Sequence, residues 1–344
     1  MNPTTILAAL ASVRDPHSGS PIRIENLKIE GNNVQFTVVL ASLASDLKQD
    51  LTFACIAAVQ GAYPTAEVHV HLEARAAENI DNQAVLPQIK HIIAVGSGKG
   101  GVGKSTVSSN LAVALQKMGA RVGLMDADIY GPSIPTMFGL QGERPSLRDV
   151  YGKPKIVPLE AHGISLMSIG FIIEPEAAVV LRGPRLGAII KQFFNDCLWP
   201  ELDFLIIDLP PGTGDVQLTL VQTVPVSGAI LVTTPQDVAL ADAIKAMNMF
   251  MLPQVNVPIL GVVENMSWFT PAELPDSKYY LFGKDGGKTL AKKAQTVLLG
   301  QVPLVQGIRE AGDSGAPIVM ESGSPSADAF MRIAQKLLQQ IAAQ

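Results

Sequence analysis

A glycine-rich segment with two lysines is the part of the sequence best suited to chemistry. Residues 98–105 read GKGGVGKS and fit the pattern G-x-x-x-x-G-K-[ST], in which backbone N–H groups surround phosphate oxygens. Glycines permit that approach because they carry no side chain, and the following helix start adds partial positive charge. In this pattern Lys104 reaches the β- and γ-phosphates, and the hydroxyl of Ser105 binds Mg²⁺. The segment therefore predicts a phosphate-binding loop.

Two other interpretations of the segment stay open at this point. Residues 96–101, GSGKGG, also match the dinucleotide fingerprint G-x-G-x-x-G, and Asp126 could then bind a ribose. That interpretation gives the Lys104-Ser105 pair no role. A glycine-rich turn without a ligand is the other alternative, although four glycines cost backbone entropy that a structural loop does not need.

Acidic residues follow two of the predicted strands. Asp126 and Asp128 come after the strand at 122–125, and their spacing of two puts them on one side of an extended chain. A carboxylate there can hold a Mg²⁺-bound water or orient the attacking water, and capping the next helix is the alternative role. The apolar run 205–208 ends in an acid, which predicts that Asp208 faces Mg²⁺.

The loop after this acid, LPPGTGD at 209–215, combines stiff and flexible residues. We expect Gly212 to offer its N–H to the γ-phosphate, which would make the loop a sensor of ATP against ADP. Turn formation alone also explains its Pro and Gly residues, but not their position directly after the acid.

The elements that position these residues alternate between apolar strands and helix-length periodic segments. This alternation predicts an α/β fold with a mostly parallel, doubly wound sheet that gathers its ligands at the strands' carboxyl ends. Together with the phosphate-binding loop, it predicts a P-loop NTPase. The strands are predicted at 91–95, 122–125, 164–168, 204–207, 230–233 and 259–263, and the helices at 106–118, 239–251 and 327–341. Helix 106–118 is expected to turn Val107, Leu111, Leu115 and Met118 inward, with Gly119 ending it.

The first 75 residues predict a small α+β unit. A helix with Ile6, Leu7, Leu10 and Val13 on one face is followed by strands at 22–30 and 34–40, joined by a turn at 31–33. A helix at about 46–60 and a strand at 67–73, with Val68, Val70 and Leu72 inward, complete it. With 74–88 as a linker, we divide the chain into domains 1–85 and 86–344.

Composition excludes several classes of protein. The 344 residues are 47% hydrophobic and 17% charged, which indicates a folded chain with a large core. A net charge of −5 gives no general attraction for nucleic acid or an anionic membrane, and no run approaches the roughly 18 to 20 apolar residues of a membrane span. Two cysteines cannot form a disulfide framework or a four-cysteine metal site within one chain. We expect a cytoplasmic protein without nucleic-acid or membrane partners.

Lys99 adds information about the phosphate loop. The form G-K-G-G-x-G-K-[ST] resembles the deviant Walker A motif of dimerising ATPases such as MinD, ParA and the nitrogenase iron protein. The resemblance implies that Lys99 reaches the nucleotide of a partner, in a homodimer with two ATP molecules at its interface. A solvated lysine on a flexible loop is the alternative.

Five motifs together resemble the Mrp/ApbC family of iron–sulfur cluster carrier ATPases over residues 90–344. They read, in order, GSGKGGVGKST, MDADIYGPSIP, DLPPGTGD, VVENMS and IREAGDSG. The unit before them, with its Asp15-Pro16, is similar to an iron–sulfur assembly domain often fused ahead of that ATPase.

The resemblance implies a role for each matching residue. The residues implied to bind ATP are Gly98, Lys99, Gly100, Gly101, Val102, Gly103, Lys104, Ser105, Thr106, Gly212 and Asn265, the last at the adenine. Ser105, Asp126 and Asp208 are expected around Mg²⁺, and residues 302–309 beside the base. Lys99, Lys104 and Asp128 are the expected catalytic residues.

The chain departs from this family at its cargo site. Members usually carry a C-x-x-C pair soon after the N-M-S motif, and two pairs bridge a 4Fe–4S cluster, but residues 266–273 here read MSWFTPAE. The N-terminal domain usually has a cysteine where this chain has Ala-Ser-Asp at 44–46. Cys55 and Cys197 are predicted to be buried apolar residues. Residues 276–280 bind a partner or pack locally in our interpretation.

Histidines do not replace the missing cysteines in our interpretation. His69 and His71 share one strand face but alternate with inward residues, so we predict that they face solvent. A metal site from this pair is the less favoured alternative.

The expected function is Mg²⁺-dependent ATP binding and slow hydrolysis by a homodimer. From resemblance it acts in iron–sulfur cluster assembly or transfer, with assembly proteins and apoprotein clients as partners. One alternative is a MinD/ParA-type positioning ATPase, whose membrane form is disfavoured because helix 327–341 has only Arg332 and Lys336 as basic residues. The other is an ATP-dependent scaffold for assembly factors that carries no cluster.

Overall fold

The computed structural model describes residues 1–15, 21–40, 48–74, 86–129, 131–172, 189, 192–271, 273–274 and 276–343. The chain forms two compact units. The first contains Met1–Gln88, Ser146–Val157 and Phe194–Glu201, and the second contains Ile89–Pro145, Pro158–Phe193 and Leu202–Gln344. The first unit is therefore discontinuous in sequence, which periodicity did not indicate. Our division at residue 85 stays a proposal.

The elements follow one another in chain order. The first unit begins with α1 (Pro3–Leu10), β1 (Arg23–Glu30), β2 (Asn33–Leu40), α2 (Lys48–Ala62) and β3 (Glu67–Ala74). The chain continues through β4 (Ile89–Ser97), α3 (Lys104–Lys117), β5 (Val122–Asp126), α4 (Ile134–Met137), β6 (Ser146–Val150), β7 (Lys153–Val157), β8 (Leu159–Ala161) and β9 (Ile164–Ser168). It ends with β10 (Leu202–Asp208), α5 (Asp215–Thr223), β11 (Gly228–Thr233), α6 (Asp237–Phe250), β12 (Ile259–Glu264), α7 (Gly286–Lys293), β13 (Leu298–Gln301), α8 (Gln306–Asp313) and α9 (Pro325–Ala342).

In the first unit, a three-stranded sheet packs one face against two helices. β1 pairs antiparallel with β2 through the predicted turn, and β2 pairs parallel with β3. Val34, Phe36, Val38 and Leu40 alternate along β2 and are buried, because side chains two apart point to the same face of a strand. Leu7 was expected to be inward and is 45% exposed, because it lies about 100° around the helix from Ile6. The start of the predicted second helix, 46–47, and most of the predicted linker lie outside the described residues.

The hairpin of β6 and β7 belongs to this first unit. Its turn places Tyr151 at a positive φ of 54°, a conformation that bulky residues rarely adopt. The Tyr151 hydroxyl accepts a hydrogen bond from the Arg14 N–H at 3.0 Å and donates one to the Arg14 carbonyl. The hairpin tip is therefore fastened to the backbone that follows α1.

In the second unit, eight strands form one sheet in the order β13-β12-β11-β4-β10-β5-β9-β8. All neighbours among them are parallel except β8, which pairs antiparallel with β9. The central strands are almost continuously apolar because helices cover both faces. Chain connections leave β4 toward β5 on one side and continue from β10 to β11 on the other. The carboxyl end of β4 is therefore a switch point, where such sheets bind ligands. The predicted fold class is confirmed.

The helices of this unit match the predicted ones within a few residues and add shorter ones. Met118 was expected to be inward and is 37% exposed, because it follows the last residue of α3 as its C-cap. The apolar face of α9 is buried, including Phe330, Ile333 and Leu337, so the core of the unit covers it. Within the described residues, no helix combines the length and apolar character that crossing a membrane requires.

Candidate functional site

The glycine-rich loop lies between β4 and α3. Gly101 and Gly103 each have φ of +79°, which favours glycine. A Cβ on Gly98 would lie 2.1 Å from the Asp242 carbonyl carbon, and one on Gly103 would lie 2.1 Å from the Asn265 Nδ2. The loop and Asp128 line a cavity of about 220 Å³, here called the phosphate cavity. These glycines therefore keep the loop close to its neighbours and the cavity free of side chains.

Lys104 sits between two carboxylates at the base of this cavity. Its Nζ lies 2.8 Å from Asp208 Oδ2 and 3.5 Å from Asp128 Oδ2. Ser105 Oγ donates to Asp208 Oδ2 at 2.6 Å, and Ser108 Oγ donates to Asp208 Oδ1 at 2.6 Å. Asp208 is fully buried, so the lysine and two hydroxyls compensate its charge. This cluster brings together four of the predicted site residues.

Asp126 lies beside Asp208 on the neighbouring strand and is fully buried. Its carboxylate accepts hydrogen bonds from the Asp128 N–H at 3.0 Å, the Ile134 N–H at 3.2 Å and the Ser168 hydroxyl at 3.1 Å. Burial and then the charge of Asp208 raise the pKa of Asp126 above its usual range. The bond to Ile134, the first residue of α4, is the capping role that the sequence left open.

Gly212 does not direct its N–H to the phosphate cavity. The N–H donates to the Ser97 carbonyl at 2.9 Å, and Gly212 has φ of +96°. Gln217 Nε2 donates to the carbonyls of Pro210 and Pro211, which fixes the start of the loop. The contact we expected between the Gly212 amide and a γ-phosphate therefore requires the bond to Ser97 to open.

A second cavity, of about 510 Å³, adjoins the first and is here called the base cavity. Both cavities are lined by Gly103, Thr106, Ser133 and Met137. Of the predicted stretch 302–309, the residues that line it are Pro303, Leu304, Val305, Ile308 and Arg309. The Ser133 hydroxyl oxygen is buried and has no hydrogen-bond partner among the described residues, which suits a place where a polar ligand binds.

Asn265 lies at the junction of the loop and the base cavity. Its Nδ2 donates to the Val102 carbonyl at 2.9 Å, so the side-chain carbonyl oxygen is the acceptor left for a base. Lys99 lines the phosphate cavity and is half-buried. The predicted ATP contacts 98–106 all line this cavity except Gly98, which packs against α6.

The two cysteines are buried and unbridged, as predicted. Burial raises the pKa of the Cys55 thiol to about 12 and also raises the pKa of Cys197. His69 and His71 are exposed, as expected. Among the described residues, no group of three or more His, Cys, Asp or Glu side chains is placed to hold a metal ion. Residues 44–46 lie outside the described part of the chain.

The stretch where cluster ligands were expected folds back on itself. Phe269 and Tyr279 exchange backbone hydrogen bonds at 2.8 Å in both directions. The Lys278 ammonium lies 4.0 Å from the Trp268 ring centroid, and that of Lys284 lies 3.9 Å from the Tyr280 ring centroid. Local packing, one of our two interpretations, is therefore observed, while apolar side chains remain exposed. These are Phe269, Leu274, Tyr279, Tyr280 and Leu281.

Sequence reasoning missed three residues that hold the site together. Ser108 lies one helical turn after Lys104, so i to i+4 spacing from the lysine could have indicated it. Glu264 ends an apolar strand in the same way as Asp208, a pattern that we used only once. Ser168 gives no local signal, because its contact with Asp126 arises from strand pairing.

Known proteins resemble the chain in both units. The model of the NUBPL iron-transfer P-loop NTPase family matches residues 88–338, and that of an iron–sulfur cluster assembly protein matches residues 3–72. An iron–sulfur cluster carrier protein from Synechocystis sp. is 45% identical over 339 residues, covering 96% of each chain.

Two solved structures resemble about three quarters of the chain. A nucleotide-binding protein from Archaeoglobus fulgidus in complex with ADP is 37% identical with a TM-score of 0.61, covering 72% of this chain and 93% of its own. The septum site-determining protein MinD from Pyrococcus horikoshii, complexed with Mg-ADP, is 25% identical with a TM-score of 0.55, covering 74% of this chain and 97% of its own. The chain therefore belongs to the NUBPL family of iron-transfer P-loop NTPases.

Proposed function

We propose that the protein binds Mg²⁺-ATP, with the phosphates in the phosphate cavity and adenine in the base cavity. The observation that carries this proposal is the position of Lys104 between Asp208 and Asp128. The glycine-rich loop above it leaves a space that the side chains of larger residues would fill. Ser105, Asp126 and Asp208 would hold Mg²⁺, since hydroxyl and carboxylate oxygens are the ligands that this ion prefers. The Asn265 carbonyl oxygen would accept from the adenine amino group.

Hydrolysis is the activity that these residues support. Lys104 would exchange its two carboxylates for phosphate oxygens, and with Lys99 it would neutralise the γ-phosphate charge. Mg²⁺ held there supplies further neutralisation of charge on the transferred phosphoryl group. Asp128 would orient the attacking water, since its carboxylate borders the phosphate cavity. We expect slow turnover unless a partner completes the site, as is common for switch ATPases.

A homodimer completes the proposed site. Lys104 already lies beside the carboxylates of its own chain, whereas Lys99 lies on the rim of the cavity. In this proposal Lys99 contacts the nucleotide of the partner, so that two ATP molecules lie between two protomers.

The proposed role is in iron–sulfur cluster assembly or transfer to apoproteins. Relatives that match nearly the whole chain are named iron–sulfur cluster carrier proteins. The burial of Cys55 and Cys197 favours a second candidate, an ATP-dependent scaffold for assembly proteins that carries no cluster.

Two measurements test these proposals. Hydrolysis of ATP by the wild type should exceed that by Lys104→Ala and Lys99→Ala, and equal rates would contradict the enzymatic proposal. Anaerobic reconstitution with iron and sulfide, followed by counting iron per dimer, separates carrier from scaffold. Absence of bound iron would support the scaffold proposal. Loss of bound iron in Cys55→Ser or Cys197→Ser would contradict our view that both thiols are structural.

A further inference from the structure

Glu264 is a buried carboxylate that none of the proposed steps uses. It ends β12 and is 1% exposed. One oxygen, Oε2, accepts the Gly287 N–H at 2.6 Å, and Oε1 accepts Gln301 Nε2 at 2.6 Å. Both donors are neutral. A charge that is buried among neutral donors is costly to keep, so its position calls for an explanation.

A pair of glycines brings the start of α7 against this carboxylate. A Cβ on Gly287 would lie 2.6 Å from the Glu264 Cβ, and one on Gly286 would lie 2.7 Å from the Pro235 carbonyl oxygen. Any side chain at either position would push the helix away. Because the glycines are there, the partial positive charge of the helix N-terminus reaches the carboxylate.

On one side, Glu264 joins β12 and β13, the two strands that end beside the base cavity. Its backbone carbonyl accepts the Val302 N–H at 2.9 Å, and its side chain holds Gln301 at the end of β13. The residue that follows β12 is Asn265, and the residue after Val302 is Pro303, both of which line the base cavity. The carboxylate therefore ties β12 to β13 directly beside two residues that line that cavity.

On the other side, Glu264 closes both ends of the exposed segment, defined as the described residues 268–271, 273–274 and 276–285. The hydroxyl of Ser267, just before the segment, donates to the Glu264 carbonyl at 2.8 Å. Gly287, just after it, donates to the Glu264 carboxylate. The Leu304 N–H, in the wall of the base cavity, also donates to the Trp268 carbonyl at 2.8 Å. Hydrogen bonds therefore connect the wall of the base cavity to the segment.

We propose that Glu264 is a positioning residue that links recognition of the base to the conformation of the exposed segment. A base in the base cavity then changes the surface that this segment offers. This inference rests on the proposed nucleotide function, and it adds a part of the molecule that responds to the nucleotide.

The variant Glu264→Gln tests the link with little change of shape. In this variant the carboxamide can still accept from the Gly287 N–H, but it then turns its NH₂ group toward Gln301, whose own amide must reverse to accept, and the charge of the carboxylate is lost. The double variant Glu264→Gln/Gln301→Glu returns a carboxylate to the pair. In it, the carboxamide at position 264 would accept from the Gly287 N–H and donate to the carboxylate at position 301. Glu160→Gln, at an exposed position on β8, is the matched control.

Two measurements distinguish a positioning role of Glu264 from a general effect of the substitution on stability. The first is the affinity for ATP relative to ITP, which carries the same phosphates and lacks the amino group. The second is acrylamide quenching of tryptophan fluorescence with and without nucleotide. Because Trp199 is fully buried, quenching reports Trp268.

The wild type should prefer ATP to ITP, and ATP should change the quenching of Trp268. In Glu264→Gln we expect this preference to fall about tenfold, the equivalent of one charge-assisted hydrogen bond, and the quenching response to vanish. Both should return in the double variant, and Glu160→Gln should behave as the wild type.

The inference is overturned if Glu264→Gln keeps the preference and the response, or if ATP leaves wild-type quenching unchanged. It is also overturned if the variant weakens ATP and ITP equally and the second substitution does not rescue it, since that pattern indicates only a structural role. A wild type that binds neither nucleotide would instead refute the proposed function, and this inference with it.

Discussion

The two ends of strand β10 carry the same kind of side chain in opposite surroundings. Asp208, at the carboxyl end, is fully buried and is held by Lys104 and two serine hydroxyls. Asp203, near the amino end, is partly exposed and lies 2.7 Å from Lys90 Nζ and 3.3 Å from Arg121 Nε.

The partners explain why only one end is suited to a ligand. Lys90 and Arg121 are more than half exposed, so water can replace each contact with Asp203. Asp208 has no such alternative, and its partners lie on the first turns of α3, directly after the glycine-rich loop. In parallel sheets, ligands bind at the carboxyl ends of the strands. A strong ion pair is therefore no mark of function by itself.

The largest effect is expected from Lys104→Ala. Hydrolysis should fall by at least about 100-fold, because a donor aimed at developing charge is lost. The free energy of unfolding of the nucleotide-free protein should also fall by about 3 kcal/mol, since Asp208 would be buried without its cation. Phosphate release and urea unfolding measure the two quantities. The matched control is Lys90→Ala, which removes a partner of Asp203 near the amino end of β10. It should hydrolyse ATP as the wild type does, and its free energy of unfolding should fall by less than about 1 kcal/mol. Equal losses of hydrolysis and of unfolding free energy in both variants would contradict the difference between the two ends of β10.

Next in size is the effect of one methyl group at the carboxyl end of β4. Gly98→Ala would place a Cβ 2.1 Å from the backbone of Asp242, so the loop must move. We expect ATP affinity, measured by calorimetry, to fall about tenfold or more, in line with the cost of overpacking. In Gly61→Ala, in α2 of the first unit, the new Cβ meets no atom within 4 Å, and binding should change little. Wild-type affinity in Gly98→Ala would show that the loop does not depend on this close approach.

Asp203→Asn should affect stability alone, and in a pH-dependent way. Hydrogen bonds from Arg121 and then Lys90 hold the pKa of Asp203 well below its usual range. A lowered folded-state pKa stabilises the protein above the unfolded-state value, about 3.9, and this contribution disappears as the pH falls below it. We expect a deficit of about 1 kcal/mol in the variant at pH 7 that narrows as the pH falls from about 4 toward the folded-state pKa. Urea unfolding across this range measures it, and a deficit independent of pH would contradict the assignment.

The smallest effect is expected in the exposed segment. Lys278→Met removes the ammonium over the Trp268 ring and should reduce stability by less than about 1 kcal/mol. Tryptophan emission should change while ATP affinity does not. Lys245→Met, on the exposed face of α6, removes a lysine that lies over no described ring and serves as the control. A loss of ATP affinity in Lys278→Met alone would show that the contact of Lys278 with Trp268 is part of the link between the segment and the base cavity.

Much of the phosphate cavity could be predicted from the sequence, because short sequence patterns mark most of the residues that form it. The glycine spacing fixes the loop, and the carboxyl ends of parallel strands meet at one edge, which brings Asp126 to Asp208. Contacts made across the fold carry no such signal. Ser168 reaches Asp126 through strand pairing, and Glu264 reaches Gly287 only because two glycines permit it.

The wrong predictions have the same origin. Leu7 lies at the edge of the apolar face of α1, and Met118 lies just past the end of α3, two places where periodicity does not tell which side the rest of the chain will cover. The hairpin of β6 and β7 was missed because its strands are polar and short.

The hairpin also affects the order in which the chain can fold during synthesis. The N-terminal domain of a protein usually folds first on the ribosome, at about 5 to 20 residues per second. Here the first unit needs Ser146–Val157 and Phe194–Glu201 as well as Met1–Gln88. It is therefore completed on the order of 10 s after residue 88 emerges, once β4, α3 and β5 of the second unit have left the ribosome. The contact of Tyr151 with Arg14 is thus a late event, which forms only after part of the second unit has been made.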